Sequence, residues 1–156
     1  MPFSSLTDSL TLKDDYRIAR IIARPFTGTP GHYKLINSGR KDYAVKPPRK
    51  TILDSLCESN YNVIGIGKIN DIFNGCGVTS TVHTTSNNDG MDKTLNICLD
   101  RSFNSGLCFV NLVEFDSEYG HRRNTIGYGK AIEEFDEKLN ILLESLKDDD
   151  LLMITA

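Results

Sequence analysis

Two adjoining stretches with different hydrophobic periods constrain this chain more than any other feature. Leu107 to Phe115 is a nearly unbroken apolar run, the pattern of a strand covered on both faces. After the polar stretch 116–125, Tyr128, Ala131, Ile132, Phe135, Leu139, Leu142, Leu143 and Leu146 recur at three- and four-residue steps, which puts them on one face of a long helix. Lys147 suits the negative end of that helix, and Asp148, Asp149 and Asp150 make a solvated stop before a last apolar segment, Leu151 to Thr155, expected as a strand. Strand, long helix, strand is the βαβ unit of a parallel sheet, with ligands expected beyond the carboxyl ends of its strands. The expected fold class is therefore α/β.

The earlier chain is more broken. Ser5 to Leu12 suits a short helix, and the β-branched stretch Tyr16 to Arg24 suits a strand stopped by Pro25. With period two, Ile18, Arg20, Ile22 and Arg24 share one face of that strand and Ala19, Ile21 and Ala23 the other. Residues 26–49, punctuated by Gly28, Pro30, Gly31, Gly39, Pro47 and Pro48, are expected to be irregular apart from a short extended piece at Tyr43–Val45. A helix over Thr51–Glu58 with Thr51 as N-cap leads into a buried strand, Asn62–Gly67. One helical turn is expected over Ile69–Phe73, a short strand around 79–84, and a helix over Asp89–Leu99.

At 156 residues with 39 % apolar content, the chain can fill a core of its own. Eighteen basic against twenty-one acidic residues give a formal charge of −3, without the basic stripe that nucleic acid demands, so nucleic acid is not an expected partner. Cys57, Cys76, Cys98 and Cys108 show no C-x-x-C pair, and three lie in or beside apolar segments where a reduced thiol packs as a small hydrophobe. A cytoplasmic location is expected on that ground. The start lacks a secretory pattern, and no apolar run approaches the roughly twenty residues needed to cross a bilayer, so no membrane partner is expected either.

Few residues suggest chemistry. Asp116 and His121 follow the apolar run and offer a carboxylate and an imidazole, donors that suit Mn²⁺ or Zn²⁺. The competing reading is an aspartate capping a turn and a histidine packed beside Tyr119. Arg20 and Arg24 on one strand face could fork onto phosphate oxygens, or could simply snorkel from a solvated face. Lys68 ends the strand Asn62–Gly67 where two glycines allow close backbone approach, so its ammonium could reach a phosphate; it could equally be an exposed lysine after a turn. The G-x-x-x-x-G-K-[ST] frame of a P-loop is absent. His32 and His83 are isolated and carry no assignment, and the Glu133, Glu134, Glu137 face reads as solvated helix surface. No Ser/His/Asp or Cys/His set is legible.

Several segments, taken in order, closely resemble the phosphopentomutase family of the alkaline phosphatase superfamily: RIIARP (20–25), GIGKINDIF (65–73), GVT (77–79), NDGMD (88–92) and NLVEFDSEYGHRR (111–123). The resemblance runs from about Tyr16 to Ala156. It implies an α+β cap domain over 1–105 that binds substrate, joined to a partial parallel-sheet catalytic core over 106–156. It further implies Asp116 and His121 as ligands of paired divalent metals, manganese foremost, and Arg20, Ile22 and Lys68 as contacts to a small-molecule phosphosugar. The activity implied is interconversion of (deoxy)ribose 1-phosphate and 5-phosphate through a phosphothreonine enzyme, with a sugar bisphosphate as activator. Against the family pattern, YKLINSGRKDYAV (33–45) carries one extra residue; the expected pocket arginine falls near Leu35, with Lys34 and Arg40 as alternative substitutes. The nucleophilic threonine and the Asp-His-Gly metal motif have no counterpart here, so the chain is expected to be an inactive fragment of a longer enzyme. Another mutase or phosphatase of the superfamily, such as a cofactor-independent phosphoglycerate mutase, and a noncatalytic phosphosugar-binding module stand as alternatives. Oligomeric state is not legible.

Overall fold

The computed structural model describes Tyr16, Ile18 and residues 20–156, so the expected helix Ser5–Leu12 lies outside the described residues. The chain divides into two compact units, Met1–Pro48 and Arg49–Ala156. The expected boundary after residue 105 falls inside the second unit, between two elements of one fold.

The described part of the first unit is an antiparallel ribbon. Strand β1 (Arg20–Ala23) pairs with β4 (Lys41–Ala44), and β2 (Phe26–Thr27) pairs with β3 (Lys34–Leu35). Thr29-Pro30-Gly31-His32 reverses the chain: His32 N–H donates to Thr29 O at 2.8 Å, Pro30 presets the first corner, and Gly31 takes φ +84° at the second. Edge-to-face stacking of Phe26 on Tyr33, centroids 5.0 Å apart, ties the hairpin together. The expectation of an irregular 26–49 is thus corrected, because strands of two residues are too short to display a period of two. The expected strand Tyr16–Arg24 shrinks to Arg20–Ala23, the stretch that finds a partner in β4.

The second unit carries the core. Helix α1 (Ile52–Glu58) starts at a capping box: Thr51 N–H donates to Asp54 Oδ2 at 2.7 Å, and Asp54 N–H reaches back to Thr51 Oγ1 at 3.5 Å. Strand β5 (Asn62–Ile66) follows, then a single turn α2 (Ile69–Ile72), β6 (Ser80–Val82), α3 (Asn87–Leu99), β7 (Gly106–Val110), a π-helical turn (Phe115–Gly120) and α4 (Thr125–Ser145). The sheet order is β6-β5-β7, all parallel, with α3 crossing from one edge to the other. Val63 and Ile66 of the central strand are fully buried, and Leu53, Ile69, Met91, Ala131 and Leu142 are buried as well. Helix α4 packs on α3, fastened by the Lys138–Asp92 ion pair and by Asn88 Nδ2 donating to Glu134 Oε2 at 2.9 Å. Glu134 is therefore part of an interhelical contact rather than plain solvated surface.

Three expectations change here. The strand expected over Leu107–Phe115 pairs only as far as Val110, after which the chain leaves the sheet. Helix α3 begins two residues earlier than expected because Ser86, not a later residue, caps it, its side chain accepting Asp89 N–H at 3.0 Å. Leu151–Thr155 forms no strand: no ladder neighbour pairs with it among the described residues, and Leu151 and Met153 are 81 % and 72 % exposed. Apolar composition makes a segment fit for a sheet, but only pairing makes it a strand. No described helix is long and apolar enough to cross a membrane.

Candidate metal and phosphate site

All three parallel strands deliver their carboxyl ends to the same rim. Strand β5 ends in Gly67-Lys68, β6 in the loop 83–86, and β7 in the segment that leads to the π-turn. Gly67 is required there: its φ is +76°, and a Cβ would come within 2.4 Å of Asn111 O. Backbone bonds from Gly67 N–H to Val82 O (2.9 Å) and from Asn111 N–H to Ile66 O (3.1 Å) lock this corner. Lys68, His83, Ser86, Glu114, Ser117 and Glu118 line a cleft of about 310 Å³ at that rim, the place where ligands meet parallel sheets.

The loop 83–86 is held from outside the cleft. Lys93 Nζ donates to His83 O and to Asp89 Oδ2, both at 2.7 Å, and Asp89 Oδ2 also accepts Thr85 N–H at 2.9 Å. The Lys93 ammonium and then the Thr85 N–H hold the Asp89 carboxyl below the usual carboxylate range. On the facing side, Glu114 and Asn87 grip each other reciprocally. Asn87 N–H, at the start of α3, donates to Glu114 Oε2 at 2.5 Å, and Glu114 N–H donates to Asn87 Oδ1 at 3.0 Å. A carboxylate at a helix N-terminus satisfies a donor that the helix itself cannot.

Asp116 and His121 follow directly on that clamp, in the turn that Glu114 caps. They were expected on a loop; the structure puts Asp116 inside the π-turn and His121 at its C-cap. The π geometry is what unites them. Five residues advance about 140° around an α-helix, which would send the two side chains to different sides, whereas the i to i+5 closure of a π-turn stacks them. His121 N–H indeed donates to Asp116 O at 2.8 Å, and Asp116 Oδ1 stands 3.5 Å from His121 Nδ1. Phe115 anchors the turn by packing on Tyr128 (5.2 Å) and Phe135 (6.4 Å) of α4.

Two donors bound to one ion at roughly 2.1 Å each stand roughly 3.0–3.4 Å apart, so the observed spacing and the mixed oxygen–nitrogen chemistry fit a shared divalent cation. Both side chains are about three-quarters exposed, so the pair faces outward rather than into packing. Among the described residues no group of three or more His, Cys, Asp or Glu is placed to hold a metal. Two donors alone do not close a coordination shell. Lys68 opens onto the cleft, but Asp116 and His121 are not among its lining; they share the π-turn with Ser117 and Glu118, which are. Arg20 and Ile22 lie on β1 of the first unit, where Arg20 is engaged within the fold.

Sequence reading missed the Asn87–Glu114 clamp and the cleft position of His83. The first had no local signal, since its members are 27 residues apart. The second could have been found by noticing that β6, like β5, ends at the sheet's ligand-facing rim.

This parallel sheet with its carboxylate–imidazole pair belongs to a known class: the chain is a member of the metalloenzyme superfamily, whose family pattern matches residues 27–156. A phosphopentomutase of Agathobacter rectalis is 51 % identical to it over 147 residues, which is 94 % of this chain and 37 % of that protein. The chain thus spans little more than a third of the length of the curated relative it matches.

Proposed function

We propose that this chain is the part of a phosphopentomutase that binds the phosphosugar and supplies two metal ligands. The observation that carries the reading is the Asp116–His121 pair, 3.5 Å apart, on a sheet whose central strand ends in Lys68. Likeness to a phosphopentomutase gives that chemistry its substrate class. In the whole protein, (deoxy)ribose 1-phosphate and 5-phosphate would interconvert through a phosphothreonine contributed by another part, with a sugar bisphosphate as activator. Asp116 and His121 would hold a divalent cation, manganese by preference, which when bound neutralises charge developing on the transferring phosphoryl oxygens.

The remaining work belongs to this chain's own groups. Lys68 presents an ammonium to the cleft and holds a phosphate there as a point charge, and the likeness to the family gives Arg20 and Ile22 a role in substrate contact. Holding the distal phosphate fixes the sugar so that either end can be presented for transfer, which is a gain in proximity rather than in bond-making power. The division expected from the sequence, substrate binding in residues 1–105 and metal binding in 106–156, is a division of labour between segments on this reading. A cytoplasmic setting suits the four unpaired thiols.

Titrating the chain with MnCl₂ while following its NMR spectrum tests this. Weak binding with paramagnetic broadening centred on His121, abolished by Asp116→Ala, is expected. Broadening that persists unchanged in Asp116→Ala would remove the pair from the metal site. With ribose 1-phosphate and Mn²⁺ the chain should show no turnover, since among the described residues no third His, Cys, Asp or Glu joins the pair to hold a metal; turnover would overturn the view that its site is partial.

A further inference from the structure

Helix α3 turns its smallest side chains toward β7. Gly90, Thr94 and Cys98 recur at four-residue steps along one side of the helix, and Gly90 and Thr94 are buried there. The Gly90 end of this row is fixed against the strand's exit. A Cβ on Gly90 would stand 3.0 Å from Leu112 Cδ2, and at the helix start Asn87 is clamped to Glu114. The Thr94 hydroxyl turns back onto Gly90 O at 2.8 Å, so its hydrogen bond is spent inside the helix.

That registration carries to the other end of the row. Leu112, Val110 and Cys108 share one side of the extended chain, opposite to Phe109, which stacks on Phe73. Helix and strand run in opposite directions, so stepping away from the Gly90–Leu112 contact advances about 12 Å along α3 to Cys98 and about 13 Å along the strand to Cys108. The two thiols therefore stand level across the interface. Burial, and then the nearby Cys98 sulfur, raise the Cys108 thiol, and burial raises Cys98 too. A helix that approaches a strand on glycine and threonine brings facing Cα atoms toward the short span a disulfide needs, which bulkier packing would prevent.

We propose that Cys98 and Cys108 are a latent disulfide, a staple between the end of α3 and the start of β7 that closes when a small-molecule disulfide such as oxidised glutathione reaches the chain. Cys98, the less deeply set of the two, attacks as thiolate and forms a mixed disulfide, releasing one thiol of the oxidant. Cys108 then loses its proton and displaces the second thiol. The chain gives up two protons and two electrons, and the oxidant leaves as two thiols. Scarce thiolate makes closure slow, while a reduced pair that gains nothing from ionisation leaves the closed bond hard to reduce. The pair is thus a staple rather than a sensor. It lies toward the end of the sheet opposite the Lys68 rim and stands whether or not the chain comes from a mutase.

The test is incubation of the folded chain with excess oxidised glutathione at mildly alkaline pH, read by intact mass and by peptide mapping without reductant. Expected are the loss of two hydrogens, a single Cys98–Cys108 cross-link and a fall from four free thiols to two. The melting temperature should rise by roughly 5–10 °C as a loop of about ten residues is closed. The Cys57→Ser/Cys76→Ser variant keeps the pair and should close as the parent does, whereas Cys98→Ser should not close. Glutathione adducts that persist on Cys98, a cross-link through Cys57 or Cys76, no loss of hydrogen, or a lowered melting temperature would overturn the inference. About a tenfold excess of reduced over oxidised glutathione should leave the bond closed; ready reopening would overturn its reading as a staple.

Discussion

Glu114 should be worth more to this protein than its place in an apolar signature suggests. Its carboxylate takes the Asn87 N–H at 2.5 Å at the start of α3, while its own N–H is taken by Asn87 Oδ1 at 3.0 Å, so one residue ties the helix to the segment that leads into the π-turn. Glu114→Gln keeps an oxygen acceptor but removes the charge. The loss is the difference between a charged and a neutral hydrogen bond, about 1 kcal/mol, plus about 0.3–1 kcal/mol from the helix N-terminus. Glu114→Ala goes further and leaves a part-buried N–H without an acceptor, for a total of about 2–3 kcal/mol. At roughly 4 °C per kcal/mol for a unit of this size, the two variants should unfold about 5 °C and about 10 °C below the parent. Urea and thermal unfolding measure the ranking, and hydrogen exchange at the Asn87 amide should accelerate in the Ala variant by the same free energy. Both variants melting within 2 °C of the parent, or Ala proving no worse than Gln, would refute the clamp.

Acid should release the helix starts before the core gives way. The Asp89 carboxyl is held low by Lys93 and the Thr85 N–H, and Asp54 by the backbone and then the hydroxyl of Thr51. Because the folded state binds these protons less readily than the unfolded chain, their stabilisation is fully present above the ordinary aspartate range near pH 4 and is lost as pH falls through the lowered values. Amide signals of Thr51 and Thr85 followed through an acid titration should shift below pH 4, and Asp89→Asn should abolish the response at Thr85. Burial pushes the Cys108 thiol from 9.0 up to about 12, which at neutral pH cuts its thiolate fraction about a thousandfold. Cys108 should therefore resist alkylation in the native state and react only on unfolding; rapid native labelling would contradict its burial.

How much of this was legible depended on whether the information was local. Helix α1 could be read because Thr51 and Asp54 lie three residues apart, and α4 because its apolar residues repeat along the chain. That periodicity still overstated burial, for Ile132 and Leu143 at the edge of the stripe are 49 % and 53 % exposed. Lys68 stood out because it closely follows a strand, and Asp116 and His121 because they follow an apolar run, parallel strands ending where ligands bind. The hairpin 26–35 escaped because each of its strands is two residues long. The Asn87–Glu114 clamp escaped because it is a fact about pairing, which no single window of sequence contains.

The width of one turn carries a further lesson for anyone altering this protein. Tightening the turn from π to α closure at constant length would leave every chemical group present. The imidazole would nonetheless swing about 140° around the axis from the carboxylate. A change of winding that leaves composition, charge and hydrophobic pattern untouched would thus part the pair, whereas removing one residue from the turn would restore a four-residue spacing and keep both side chains on one face.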